Sequence, residues 1–289
     1  MRAASEAPVE GTVQRILVVD DYRTTRQLLQ LQLKNAGYLV ETAADGHSAL
    51  ARLRKKKFDL VLLDVWMPGM DGLEMLARLR DEPSQPRVVV MTADDTSETL
   101  LRAVREHAYR YVGKPVEPRE LLELVRAVLA SKPPVRPIEV ISARPDWVEL
   151  LVPCDREAAE RIQELLAHLD ADLPPEVRER VGQAFRELFM NAIEWGGGLD
   201  PRQTVRIACL RARRMLLYRI ADPGKGFSFE ALTHAAVNNP AEKPTEHMVE
   251  REARGLRPGG YGLLMTRAMV DELLYNEKHN EVVFVKYLD

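Results

Sequence analysis

Acids at the ends of apolar runs, with one threonine and one lysine in the same kind of place, suggest phosphate chemistry. Asp20 and Asp21 close one such run, Asp64 a second and Thr92 a third, and Lys114 follows a fourth. If those runs are parallel strands of one sheet, all five side chains stand beyond the carboxyl ends of the strands, where open α/β sheets bind ligands. Three carboxylates with no transition-metal ligand make a hard-oxygen pocket suited to Mg²⁺. A carboxylate there can attack phosphorus while a cation and the lysine neutralise phosphate oxygens. A single Asp at a strand end is ordinarily a turn or cap residue. That explanation does not cover five such positions in one order.

A second constellation follows. Glu187 and Asn191 are four residues apart on one helical segment and therefore share a face. Asn is an oxygen ligand suited to a Mg²⁺ that holds ATP phosphates, and Glu187 can polarise a hydroxyl for attack. Asp222-Pro-Gly-Lys-Gly226 comes after a strand. An Asp there can accept from an exocyclic amine, and Gly224 and Gly226 let backbone come close to a ligand. Gly259-Gly260-Tyr-Gly262 opens a helix and turns backbone N–H groups toward an anion. Each motif alone has a bland explanation as a solvated pair or a turn; their order and spacing carry the information. Lys225 reads as an exposed turn lysine.

The elements that must position these residues fall into two patterns. Apolar runs at 15–20, 39–43, 60–64, 87–92 and 109–112 alternate with helical patterns at 23–36, 45–56, 71–81, 96–107 and 117–131. Near-continuous apolar runs of that length read as parallel strands buried on both faces. Five β-α units imply a doubly wound α/β domain over residues 15–131, after a loose tail at 1–14. Ser131-Lys-Pro-Pro-Val-Arg-Pro137 starts a Pro-rich linker, 132–146. The second domain, 147–289, reads as α+β with a mostly antiparallel sheet: strands at 147–152, 204–210, 215–221, 273–276 and 281–287, and helices at 156–169, 174–195 and 261–272. The polar stretch 228–258 reads as a mobile loop.

Composition narrows the field. Of 289 residues, 46% are hydrophobic and 29% charged, with a net charge of −3. These are globular values that offer no bulk attraction to DNA or an acidic membrane. Arg52-Leu-Arg-Lys-Lys-Lys57 reads as a solvated helix end. Cys154 and Cys209 form no metal spacing, so free thiols in a cytoplasmic protein are expected. No apolar run approaches the roughly 20 residues that span a bilayer, and the first residues do not resemble a signal peptide.

On Asp20-Asp21, Asp64 followed by Met67-Pro-Gly-Met-Asp-Gly72, Thr92-Ala93 and Lys114-Pro115, residues 15–131 resemble the receiver domain of response regulators, a flavodoxin-like fold. The resemblance implies phosphorylation of Asp64 by a histidine kinase. It implies Mg²⁺ held by Asp21 and Asp64 with help from Asp20, a phosphoryl group bound by Thr92 and Lys114, and a cis bond before Pro115. It makes Tyr111 an aromatic switch and puts Trp66 and Asp94 beside the phosphoryl group, although ordinary packing explains Tyr111 equally well.

On Glu187-Leu-Phe-Met-Asn191, Asp222-x-Gly224-x-Gly226 and Gly260-x-Gly262, residues 147–289 resemble the GHKL ATPases (the Bergerat fold), and within them the anti-sigma-factor serine/threonine kinases. This implies ATP with Mg²⁺, Asn191 on the metal, Asp222 on adenine, Glu187 as base and 228–258 as a lid. Two departures are Trp195, where those kinases often have histidine, and the length of the lid.

The combined expectation is a phosphorylation-controlled ATP-dependent kinase. Its partners would be a histidine kinase and an anti-sigma-factor antagonist, a sigma factor or both. The rival from another class is an ATP-binding module with little turnover that sequesters a sigma factor or other protein. A self-phosphorylating histidine kinase would need a phosphoacceptor histidine on a helical hairpin where the Pro-rich linker stands. Nothing in 147–289 reads as a DNA-binding helix pair, and no direct DNA or membrane binding is expected. A homodimer is compatible with both resemblances.

Overall fold

The computed structural model describes residues 13–79, 85–93, 96–131, 136–144, 146–229, 236, 243, 245–253 and 260–288. Apart from Thr96–Leu101, the first compact unit runs up to Lys132 and the second begins at Pro133.

The first unit alternates as expected. It comprises β1 (Arg15–Val19), α1 (Arg23–Asn35), β2 (Leu39–Ala43), α2 (Gly46–Lys55), β3 (Leu60–Asp64), α3 (Gly72–Leu79), β4 (Arg87–Thr92), α4 (Ser97–Arg105), β5 (Arg110–Gly113) and α5 (Pro118–Ala130). The strands form one parallel sheet in the order β2-β1-β3-β4-β5. The pleat sends alternate residues to opposite faces. Leu17, Val19, Val61 and Leu63 join one core with Leu50, Met75 and Leu76, and Ile16, Val18, Leu60 and Leu62 join another with Leu33, Leu121 and Val125. That is why these strands read as unbroken apolar runs. Asp45 caps α2 by accepting from Ser48 N–H at 2.8 Å, and Pro118 starts α5, where its missing N–H costs nothing.

The second unit comprises β6 (Glu139–Arg144), β7 (Trp147–Pro153), α6 (Arg156–Leu169), α7 (Pro175–Asn191), a π-helical turn (Ala192–Gly196), β8 (Thr204–Ala212), β9 (Met215–Ala221), α8 (Glu246–Ala253), α9 (Gly262–Met269), β10 (Glu272–Tyr275) and β11 (Glu281–Tyr287). Its sheet is antiparallel in the order β10-β11-β9-β8-β7-β6. Val148, Leu150, Val152, Ile207, Leu216, Tyr218, Ile220 and Phe284 are buried on one face. Polar neighbours in the same strands pair across the sheet, as Glu149 with Arg206 at 2.8 Å and Arg219 with Glu281 at 2.7 Å. Tyr218 stacks on Phe284, ring centroids 4.9 Å apart, and tilts against Phe185 at 5.5 Å. Each such buried ring contributes ~1.5–3 kcal/mol through removal from water.

Three elements differ from the sequence reading. Residues 139–144, read within the linker, form β6, which pairs with β7. The helix read as continuous from 174 to 195 is α-helical only to Asn191 and then widens into the π turn. Within the polar stretch 228–258, Glu246–Ala253 is helical; most of the remaining stretch lies outside the described residues. Among the described side chains of α8, Met248 and Val249 are exposed and the polar His247 is buried, so its apolar residues do not mark a buried stripe in the sequence. Among the described residues no helix is long and apolar enough to cross a membrane.

Candidate functional site

In the first unit the strand ends bring the acids together. Asp20 is wholly buried, Asp64 is 4% exposed and Thr92 is 1% exposed. Lys114 Nζ lies 2.8 Å from Asp20 Oδ2 and 2.8 Å from Asp64 Oδ1. Asp20 Oδ1 accepts from Tyr22 N–H at 2.8 Å, so both oxygens of Asp20 are engaged. Asp21 instead keeps a buried oxygen that accepts no hydrogen bond among the described residues. One ligand atom from each of Asp20, Asp21 and Asp64 lies within 4.8 Å of the others. An orphaned buried carboxylate oxygen among three carboxylates fits a hard divalent cation. Burial raises the Asp64 pKa above the ordinary carboxylate range; Lys114 pulls it back and the charges of Asp20 and Asp21 push it up again.

The backbone holds this arrangement tightly. Lys114 N–H donates to Thr92 O at 2.7 Å, and Gly72 N–H donates to Val65 O at 2.8 Å. The β3–α3 loop thereby folds back on Asp64: a Cβ on Gly72 would come 2.0 Å from the Asp64 carbonyl oxygen. The Lys114-Pro115 bond is cis.

In the second unit two close approaches define the geometry. A Cβ on Gly262, the first residue of α9, would come 2.2 Å from Glu187 Oε2. The Glu187 carboxylate thus stands at the N-terminus of that helix, one turn along α7 from half-buried Asn191. A Cβ on Gly196, the last residue of the π turn, would come 2.3 Å from Asp222 Oδ1. That turn therefore brings the end of α7 against the Asp222 carboxylate, which also accepts from Gly224 N–H at 2.8 Å. Burial raises the Asp222 pKa and the Gly224 N–H opposes it. The Cys154 thiol lies behind Gly197, and burial followed by the Asp222 charge pushes its pKa up to about 11. Gly226 and Gly260 both take positive φ, 82° and 96°.

Comparison with known proteins matches residues 16–126 to the response regulator receiver domain and residues 154–286 to the histidine kinase-like ATPase domain. The DNA-binding response regulator MtrA of Mycolicibacterium smegmatis is 34% identical over 184 residues, which are 63% of this chain and 78% of the relative. The chain belongs to the response regulators. The transcriptional regulatory protein PhoP of Bacillus subtilis is 38% identical over 115 residues, covering 40% of this response regulator and 48% of PhoP. The crystal structure of chemotaxis protein CheY4 of Vibrio cholerae is 34% identical, covering 40% of this chain and 99% of that one, at a TM-score of 0.40. The receiver has the flavodoxin-like parallel sheet expected of it, and the α/β domain with an antiparallel sheet that follows is consistent with a GHKL ATPase.

The structure joins Asp20, Asp21, Asp64 and Lys114 directly, and buries Thr92 at the end of the strand beside β3. It joins Glu187 to Gly262, and Asp222 to Gly224. Tyr111 is half-buried against the core beneath, and Trp66 is 59% exposed. Asp94 and Gly259 lie outside the described residues. Sequence reasoning missed Gly196, Gly197, Cys154 and Asn280. The run Gly196-Gly-Gly198 was a usable signal, since three glycines after a helix mark a close approach. Asn280 bonds locally only to Asn276, as an ordinary turn residue does, and its contacts to the Asp222 loop reach more than 50 residues back, so the sequence gives no signal of them.

Proposed function

We propose that this response regulator accepts a phosphoryl group on Asp64 from a histidine kinase, and that this event controls an ATP-dependent serine/threonine kinase of the anti-sigma-factor type in its second unit. In the receiver, an Asp64 oxygen attacks phosphorus, the bond to the donor imidazole nitrogen breaks, and an acyl phosphate forms. The Thr92 hydroxyl and the Lys114 ammonium hold the transferred oxygens. Asp21 and Asp64, with Asp20 behind them, would hold Mg²⁺, which supplies charge neutralisation at the phosphoryl oxygens. In the second unit Asp222 accepts from the adenine amine, Asn191 would carry the metal of the bound nucleotide, and the backbone at Gly224, Gly226, Gly260 and Gly262 lies close to the nucleotide. Glu187 takes the proton of a serine or threonine hydroxyl as that oxygen attacks the γ-phosphorus, and ADP leaves.

The observation that carries the kinase reading is the Glu187 carboxylate at the first turn of α9, one helical turn from Asn191. The test is transfer of labelled phosphate from ATP to copurifying proteins, with and without an acyl-phosphate donor. Wild type should label serine or threonine, Glu187→Ala should lose at least 100-fold of that rate, as removal of a general base does, and Asp64→Asn should abolish the effect of the donor. Absence of serine or threonine phosphate in wild type would sink the reading.

Exposed Trp195, standing where the kinases often have histidine, favours a second reading: a nucleotide-dependent binding module that sequesters a sigma factor or other protein. In that case Glu187→Ala leaves partner capture intact and there is no transfer to lose.

A further inference from the structure

The turn Asn276–Asn280 between β10 and β11 grips the Asp222 loop from the far end of the sequence. Asp222 N–H donates to Asn280 O at 2.9 Å, and Phe227 N–H to Lys278 O at 3.2 Å. His279 Nδ1 donates to Phe227 O at 2.7 Å. Gly226 lies so near that a Cβ there would be 1.7 Å from Lys278 O. The backbone contacts among these do not depend on side-chain identity. The Asn280 side chain does something an arbitrary residue cannot: its Nδ2 donates to Gly224 O at 3.1 Å and, at a longer 3.4 Å, to Asp222 O. Its Oδ1 accepts from Asn276 Nδ2 at 2.8 Å. That acceptor bond fixes which way the amide faces, so the NH₂ is aimed at the two carbonyls.

We propose that Asn280 is a positioning residue for nucleobase recognition. It holds the Asp222-Pro-Gly224 turn from behind, and so sets the direction of the Asp222 carboxylate and with it the preference for adenine over guanine. The inference rests on the reading of the second unit as an ATP site. Adenine offers an amine donor where guanine offers a carbonyl acceptor, so a carboxylate that turns away loses this distinction while contacts at the phosphate end persist. Two neutral hydrogen bonds govern the direction, which sets the expected effect at roughly tenfold.

The test measures equilibrium binding of ATP and GTP to the full-length protein with Mg²⁺, for wild type and for Asn280→Ala, Asn280→Asp and Asp222→Asn. The ratio of the two affinities is the readout, because a partly unfolded preparation lowers both alike. Wild type should prefer ATP, and Asn280→Ala should reduce that preference about tenfold with GTP affinity little changed. Asn280→Asp is the same size and still accepts from Asn276, but it turns an oxygen toward two carbonyl oxygens; it should lose at least as much. An unchanged ratio in Asn280→Ala overturns the proposal, as does a wild-type ratio in Asn280→Asp, which would mean that packing alone matters. Failure of wild type to bind ATP, or undiminished ATP binding by Asp222→Asn, overturns the ATP-site reading itself and this inference with it.

Discussion

Asp170 shows what a buried carboxylate costs when no cation among the described residues pairs with it directly. It is 6% exposed under the second sheet, and its Oδ2 accepts the Tyr218 hydroxyl at 2.5 Å. Burial raises its pKa above 3.8, while the Tyr218 hydroxyl and the Arg211 charge work in the opposite direction. A raised folded-state pKa gives stability that is complete below the unfolded value of 3.8 and lost as pH rises through the folded value. Above that folded value the ionised group is therefore a cost that Tyr218 offsets. Tyr218→Phe removes that donor and should lower the unfolding free energy of the second unit by ~1–3 kcal/mol at pH 7.5. The loss should shrink toward pH 4, as the carboxyl takes up a proton. Urea titrations at the two pH values check this, and an equal loss at both would refute it. Asp64 and Asp170 are both buried acids, yet only Asp64 was legible as special. It closes an apolar run in register with Asp20, Asp21, Thr92 and Lys114, so topology alone predicts convergence. Asp170 follows a helix in a polar stretch, His-Leu-Asp-Ala-Asp, where an aspartate looks like an ordinary terminus; only the packing of Tyr218 makes it otherwise.

Among the elements, the parallel sheet was legible because strands buried on both faces leave an apolar run at each pass, with little else to confuse them. The α7 helix was legible up to its last turn, since periodicity does not distinguish a helix that continues from one that widens. β6 was missed for a different reason. Glu-Val-Ile-Ser-Ala-Arg is short and half polar, set close after Pro-Pro-Val-Arg-Pro, and composition there suggests a linker. A polar sequence suits its position, because β6 lies at the border of the sheet, where charges discourage pairing with another molecule. Its inner neighbour β7 carries Trp147, Val148, Leu150, Leu151 and Val152. A fragment beginning at Trp147 would uncover that strand, whereas one beginning at Pro137 keeps it paired. We expect the 147–289 fragment to aggregate at concentrations where 137–289 stays soluble, as light scattering of the two would reveal. Equal scattering would show that β6 does not protect the sheet.

At the scale of the molecule, two units with separate sheets bring together a receiver and a histidine kinase-like ATPase domain. If phosphorylation of Asp64 changes ATP affinity, thermodynamic linkage requires the reverse. ATP must then change the affinity of the receiver for the phosphoryl mimic beryllofluoride by the same factor, typically about 5–150-fold where such coupling exists. Titrating beryllofluoride with Mg²⁺ in the presence and absence of saturating ATP measures it, and unequal factors in the two directions would exclude a simple coupling of binding equilibria. How much change in length such a chain tolerates depends on where the change falls, and the π turn Ala192–Gly196 is a place where it tolerates little. An added or missing residue in an ordinary helix swings everything beyond it through about 100°. A π turn is a helix that has already taken up one additional residue without losing its axis. Deleting a residue there would let the helix rewind and carry Gly196 away from Asp222, although every side chain proposed to bind nucleotide would remain in the sequence. The proposed nucleotide site thus depends on a residue count as well as on residue identity.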